Sequence, residues 1–241
     1  FRSVPLMYAY LYVADREEGL ITVLVGTLLD GDPTNNFLKR ETTFNPGGVL
    51  RGARAITIVG SFAYMLTDAG LVVVSIEDPK NLKVTSVIGP EQIRGGTSVQ
   101  FQFRYGFVCD RDGVKILDVT DLSRPRVVRT LPLPDARSIY VARTRAYVAA
   151  GKQGLVILNV ENPENPFVEQ IFDAGGRIND LHDVKLGITY SSEFAYLADG
   201  RNGLRVVQLT SPETPGNQGF SPKPTPCLVA TYRLPGGGPV I

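Results

Sequence analysis

Five glycines, each followed by Leu or Val and an apolar run, recur along the chain at Gly19, Gly70, Gly113, Gly154 and Gly203. They are spaced 51, 43, 41 and 49 residues apart. Six or seven residues ahead of each stands an aromatic ring: Tyr12, Tyr64, Phe107, Tyr147 or Tyr196. The runs that follow are LITVLV, LVVVSI, VKILDV, LVILNV and LRVVQL. Self-similarity at such a period means a unit that cannot bury its own apolar surface and must stack on its neighbours.

Each unit reads as strands. Two β-branched or aromatic runs joined by a short turn ending in Gly make a hairpin. A Pro-bearing link follows, at 78–79, 122–125, 162–166 and 211–215. Pro cannot donate to a ladder, so these links interrupt pairing and turn the chain. Another short strand comes next, at 83–88, 127–131, 168–172 and 228–234. One more precedes each hairpin, at 55–59, 98–103, 138–142 and 183–188. No stretch carries helical periodicity. Four antiparallel strands per unit of about 45 residues is the recipe of a β-propeller blade. The expected fold is therefore an all-β propeller of five visible four-stranded blades, at about 1–50, 51–92, 93–134, 135–177 and 178–235. Strands apolar on both faces fit blades packed between two neighbours.

Phe1-Arg2-Ser3-Val4 aligns without a gap on Ala136-Arg137-Ser138-Ile139, so residue 1 is expected within an inner strand. Residues 236–241 resemble the start of another. Either five blades close on themselves or the chain is part of a larger propeller or protein, the reading favoured here. Two polar insertions, LDGDPTNN at 29–36 and GNQGFSPKPTP at 216–226, read as surface loops. A third, 187–193, extends the inner hairpin of the fifth unit.

Composition removes several function classes. Lys plus Arg number 25 against 24 Asp plus Glu, so no charge excess points to nucleic acid or anionic lipid. No apolar run approaches the roughly 18 residues of a membrane span. Two Cys and one His cannot supply a haem attachment site, a four-ligand zinc site or a disulfide framework. No Trp is present, which excludes WD repeats and the Asp-boxes of sialidases. No cofactor is expected.

The Gly-Leu opening and Asp/Asn-Pro exit of the third strand resemble the LVIVD repeat of bacterial and archaeal cell-surface and periplasmic β-propellers. Lys115-Ile116-Leu117-Asp118-Val119-Thr120-Asp121 and Leu155-Val156-Ile157-Leu158-Asn159-Val160 carry the likeness best, which covers essentially the whole chain. The resemblance implies an extracellular, cell-surface or periplasmic protein. Fold alone does not assign function.

Stacking the repeats aligns Arg2, Arg54, Thr97, Arg137 and His182, two residues before the inner-strand aliphatic. Inner strands converge on the axis, so this position is expected to ring one mouth of the channel. The crossovers add Arg51, Arg94 and Arg177 to that face. Turns between second and third strands bring Asp15, Asp68, Asp110, Asp112 and Asp199 there. Two readings stand: Arg and Asp pair with each other and tie the hairpin down, or the cations form a site for an anion or acidic partner. His182 lacks the nucleophile and oriented partner of a general base, and no GxSxG, HExxH or phosphate-cradling turn occurs. Its reading is a structural or ring-lining histidine. Asp30, Asp32, Thr34 and Glu41 have calcium-loop spacing, but Asn35 occupies the place of the required glycine, and an ordinary polar loop is the competing reading. Cys109 reads as a buried thiol. Cys227 opens the last outer strand, two blades away, so no mutual disulfide is expected. The recurring rings read as inter-blade packing.

The expected function is a non-catalytic binding or scaffolding module. Its partner would be another surface or periplasmic protein, with a multi-haem cytochrome among those implied, or a second copy; neither nucleic acid nor membrane insertion is expected. The alternatives are a structural array or filament element, and a hydrolase or lyase using the axial channel on an anionic substrate.

Overall fold

The computed structural model describes residues 9–189, 192–217, 219–235 and 238–241. The inner-strand expectation for residues 1–4, Arg2 included, lies outside them. Among the described residues the named elements are β-strands and short 3-10 turns, the latter at Gly26–Leu29, Pro33–Asn35 and Pro46–Gly48.

The chain is a β-propeller array of antiparallel blades laid down in sequence order. Blade one contributes β1 (Tyr10–Asp15), β2 (Gly19–Leu24) and β3 (Lys39–Phe44). Blade two holds β4 (Ala55–Val59), β5 (Phe62–Thr67), β6 (Gly70–Ser75) and β7 (Lys83–Ile88). Blade three holds β8 (Ser98–Gln102), β9 (Tyr105–Asp110), β10 (Gly113–Asp118) and β11 (Arg126–Pro132). Blade four holds β12 (Ser138–Ala142), β13 (Arg145–Ala149), β14 (Leu155–Asn159) and β15 (Phe167–Phe172). Blade five holds β16 (Asp183–Thr189), β17 (Ser192–Ala198), β18 (Leu204–Thr210) and β19 (Cys227–Tyr232). Within each, every strand pairs with its predecessor.

The recurring glycines open or immediately precede the third strands. In every blade the ladder between third and fourth strands slips between the third and fourth residues after that glycine: Thr22/Val23, Val73/Val74, Ile116/Leu117, Ile157/Leu158 and Val206/Val207. Such a bulge adds local twist, which each sheet needs as it fans outward from the axis.

Blades pack face to face through four apolar clusters. The second-strand aromatics of blades two, three and four reach into the following blade: Tyr64 meets Val99 and Val108, Phe107 meets Ile139 and Val148, Tyr147 meets Val184 and Leu197. The Tyr64 hydroxyl donates to the Leu122 carbonyl across that seam at 2.6 Å, and burial pushes its pKa up to about 12. The inner strands β4, β8, β12 and β16 stand side by side in that order. Side chains tie them together: the Thr57 hydroxyl donates to the Val99 carbonyl at 2.8 Å, the Ile139 N–H donates to the Ser98 hydroxyl at 3.3 Å, and Ser138 donates to Asp183.

The 216–226 insertion, read from sequence as a surface loop, is laid across blade four. Arg145 donates to the carbonyl and hydroxyl of Ser221 at 3.0 and 3.1 Å, Thr144 bonds the same hydroxyl, and Gln170 donates to the Pro224 carbonyl at 2.9 Å. At the far end, Val240 bridges Gly200 as Leu181 bridges Gly151 one blade earlier.

Candidate functional site

The four described inner strands line an open cavity of about 330 Å³. Its walls carry Thr57, Thr97, Ser98, Gln100, Arg137, Ser138, His182, Asp183 and Lys185.

The structure divides the sequence-predicted ring. Arg137 and His182 meet: Nη1 of Arg137 lies 3.0 Å from Nε2 of His182, and both approach Oδ1 of Asp180, at 3.1 Å each. The same guanidinium forks onto Asp135 at 2.8 and 2.9 Å. Its bond to Asp180 holds that carboxyl below the usual carboxylate range. Lower in the wall, Asp183 accepts from Ser138 and, at 2.9 Å, from Lys185. Burial opposes its charge, but those two donors outweigh it and leave its pKa lowered. Two permanent cations, Arg137 and Lys185, thus face three carboxylates, Asp135, Asp180 and Asp183. Arg137 has no charge to spare for an anion.

The other ring cations do not converge on the cavity. Arg54 turns to Asp68 at 3.2 Å and to the carbonyls of Thr67 and Gly96. Arg94 pairs with Asp112 at 3.1 Å. Arg177 folds back onto the Ala174 carbonyl at 2.7 Å. Arg51 is exposed and has no side-chain partner among the described residues. Asp15 accepts the N–H groups of Glu17 and Glu18. The Thr97 hydroxyl is spent on the Cys109 carbonyl.

Blades three and five bury the turn aspartate itself. Asp110 accepts N–H groups from Arg94, Asp112 and Gly113 and lies 3.6 Å from the Lys115 ammonium. Asp199 accepts from Asn179, Asp180 and Nε of Arg205. Lys115 and Arg205 both stand two residues after their repeat glycine, where the other blades have Ile21, Val72 and Val156. A cation appears where the aspartate is buried, because an unpaired buried charge is costly.

A second ring escaped sequence reasoning. Arg16, Arg111, Lys152 and Arg201 each occupy the turn between second and third strands of a blade, on the same rim as the cavity mouth. All four are exposed, and none has an ion pair or side-chain hydrogen bond among the described residues. The signal was a basic residue one or two positions past the turn aspartate, or past Ala150 at that place, in four blades of five.

No group of three or more His, Cys, Asp or Glu able to hold a metal occurs among the described residues. Asp30 and Asp32 spend their oxygens on the loop's own Asp32 N–H, Asn35 amide and Thr34. Glu41 sits on β3 between Lys39 and Lys80. Cys109 is buried and Cys227 exposed, both free, and burial pushes the Cys109 thiol up. Away from the mouth, Glu193 at the start of β17 is buried beside a cavity of about 180 Å³, with Arg143 3.9 Å off.

The model of the LVIVD repeat matches residues 2–26, 51–86, 135–174 and 187–216, more than half of the chain. Blade three lies outside the matched stretches although its third strand carries the motif. No curated protein matches the sequence significantly. Among solved structures, the crystal structure of a nidogen/laminin complex contains a chain similar in fold, with a TM-score of 0.54 and 13% identity, covering 83% of this chain and 71% of that one. The computationally designed Ika8 protein gives 0.56 at 10% identity, over 82% of this chain and 55% of its own. The chain thus spans about half the length of the designed protein. At these identities the likeness is one of fold alone.

Proposed function

The chain belongs to the LVIVD-repeat family, and from that premise we propose that it is a non-catalytic module outside the cytoplasm that docks an acidic protein surface on its channel-mouth face. The unpaired turn-tip cations Arg16, Arg111, Lys152 and Arg201 carry this reading. Exposed charges of this kind steer encounter and set specificity more than they add affinity. The inner ring is already neutralised, so the outer one is what a partner meets. The proposal extends to a periplasmic or surface assembly, with a multi-haem cytochrome among the partners, and its support is the resemblance of the repeat to those of cell-surface and periplasmic propellers. One fold neighbour also comes from a protein complex.

The geometry of the cavity favours this over the channel-enzyme alternative. Ser138 bonds Asp183 directly, while Nε2 of His182 is turned to Asp180 and Arg137. No imidazole stands between the hydroxyl and a carboxylate to act as base.

The test is a pull-down from the native source at low and high salt, with the wild-type chain and an Arg111→Glu/Lys152→Glu/Arg201→Glu variant as baits. The expected result is a partner held by the wild type at low salt, released at high salt and lost by the folded variant. A variant that retains the same partner equally well overturns the proposal.

A further inference from the structure

Blade five departs from the repeat twice, in the 187–193 extension of its inner hairpin and in the 216–226 insertion after β18. The structure brings both departures to the cavity of about 180 Å³ beside Glu193. The first contributes Ile188, Ser192 and Glu193 and the second Phe220, with Thr210 of β18 and Arg143 of blade four alongside. In an antiparallel meander successive turns fall at opposite ends. Turns between first and second strands therefore lie at the other end of the blades from Arg16, Arg111, Lys152 and Arg201, and this cavity stands apart from the docking face proposed above.

Glu193 is an acid at a place, three residues ahead of the second-strand aromatic, where the other blades carry Ala9, Ser61, Arg104 and Thr144. It is 5% exposed, yet its Oε1 has no hydrogen-bond partner among the described residues. A buried acceptor left without a donor is costly, and each one kept in a native fold calls for a reason. The ladder between β17 and β18 slips between Glu193 and Phe194, whereas the second-to-third ladders of the other four blades run in register. A bulge of this kind re-aims the side chain beside it and is common next to functional sites. Across the cavity the insertion is pinned: Nη1 of Arg143 donates to the Phe220 carbonyl at 3.2 Å, and Arg145 and Thr144 hold Ser221. The Phe220 ring itself stays 73% exposed.

Charge selects the class of ligand. Nη2 of Arg143 stands 3.9 Å from Oε1 of Glu193, beyond hydrogen-bond distance, so the two balance in charge without satisfying each other. An entering cation would meet the guanidinium and an entering anion the carboxylate. A neutral molecule rich in hydroxyls can donate to Glu193 and accept from Arg143 at once, and the Ser192 and Thr210 hydroxyls can serve it in either role. The negative face of an aromatic ring suits the C–H side of a saturated one, and Phe220 offers such a face beside the exposed Ile188. We propose that this cavity binds a neutral sugar ring, through hydroxyl hydrogen bonds to Glu193 and Arg143 and with one face against Phe220. Its volume of about 180 Å³ suits a single ring, being below the roughly 300 Å³ at which pockets for drug-sized ligands begin.

Glucose, galactose and N-acetylglucosamine, each free and as a short β-linked oligomer, are offered to the full chain at millimolar concentration, with saturation-transfer NMR as the readout. Butylammonium and propionate serve as charged competitors. At least one sugar should receive saturation, and neither ion should displace it. Glu193→Gln should weaken that binding by about tenfold or more, the worth of one charge-assisted hydrogen bond. Phe220→Ala should weaken it too, and both variants should keep the wild-type circular dichroism. Tighter binding of an oligomer would assign the end of a polysaccharide chain, and equal binding a free sugar. Three outcomes overturn the proposal: no saturation of any of these sugars, displacement by either ion, or binding that either folded variant retains in full.

Discussion

Gly113 sits at φ +138, and a Cβ there would lie 2.2 Å from the Leu131 carbonyl oxygen. The four equivalent glycines have positive φ as well, and in each a Cβ would strike the carbonyl that ends the fourth strand. This is why the repeat announces itself through glycine: a single atom would both strain the turn and part the outer ladder. The buried Arg205–Asp199 pair illustrates the converse, a residue kept for charge. Arg205→Met leaves a fully buried carboxylate with its backbone donors but no cation, and should cost about 3–5 kcal/mol. Asp199→Asn/Arg205→Met should recover most of that in chemical denaturation, and failure to recover would show that Arg205 acts through its bonds to Thr231 and the Arg177 carbonyl instead. Glu193 is shifted in the opposite sense to Asp180 and Asp183. Burial raises its pKa above the ordinary 4.5, only partly opposed by Arg143. The folded state thus holds this proton more tightly than the unfolded state does, so its contribution to stability is present at acid pH and is lost as pH rises through the raised value. Glu193→Gln should remove that decline, read as denaturation midpoints that converge between mildly acidic and neutral buffers. A pH dependence identical to wild type would count against burial as the cause.

At the scale of the blade, strands were legible because their signals are local: β-branched runs, a positive-φ glycine, a Pro-bearing exit. The aromatic column was legible as inter-blade packing and holds at Tyr64, Phe107 and Tyr147, but alignment could not show that Tyr196 stands exposed. The ring was only half legible. Stacking the repeats placed Arg54, Arg137 and His182 at one level, yet where each guanidinium goes depends on carboxylates outside the aligned column. Asp180 of the next blade draws Arg137 across the seam, whereas Gly96 offers Arg54 only a carbonyl. Arg51, Arg94 and Arg177 lie in crossovers whose turns satisfy them locally or leave them in solvent. The 216–226 insertion shows the same limit. Its Pro and Gly content says loop, and only the third dimension brings Ser221 and Pro224 onto Arg145, Thr144 and Gln170.

Across the whole molecule, stability is distributed as in a linear repeat, where each unit is held by its own fold and by nearest-neighbour seams. Blades two, three and four have seams on both sides and second strands buried on both faces. Blade one has Leu11 and Val13 open, and blade five alternates buried and open along β17 and β18. Local opening should therefore begin at the ends, since sub-global unfolding follows the elements with fewest buried apolar contacts. Native-state hydrogen exchange is expected to show β5, β9 and β13 opening only with global unfolding, and β1, β17 and β19 exchanging by cheaper local opening in dilute solution. Uniform protection across all five blades in dilute monomer would mean that the ends are sealed within one chain, and the array would then be a closed five-blade ring.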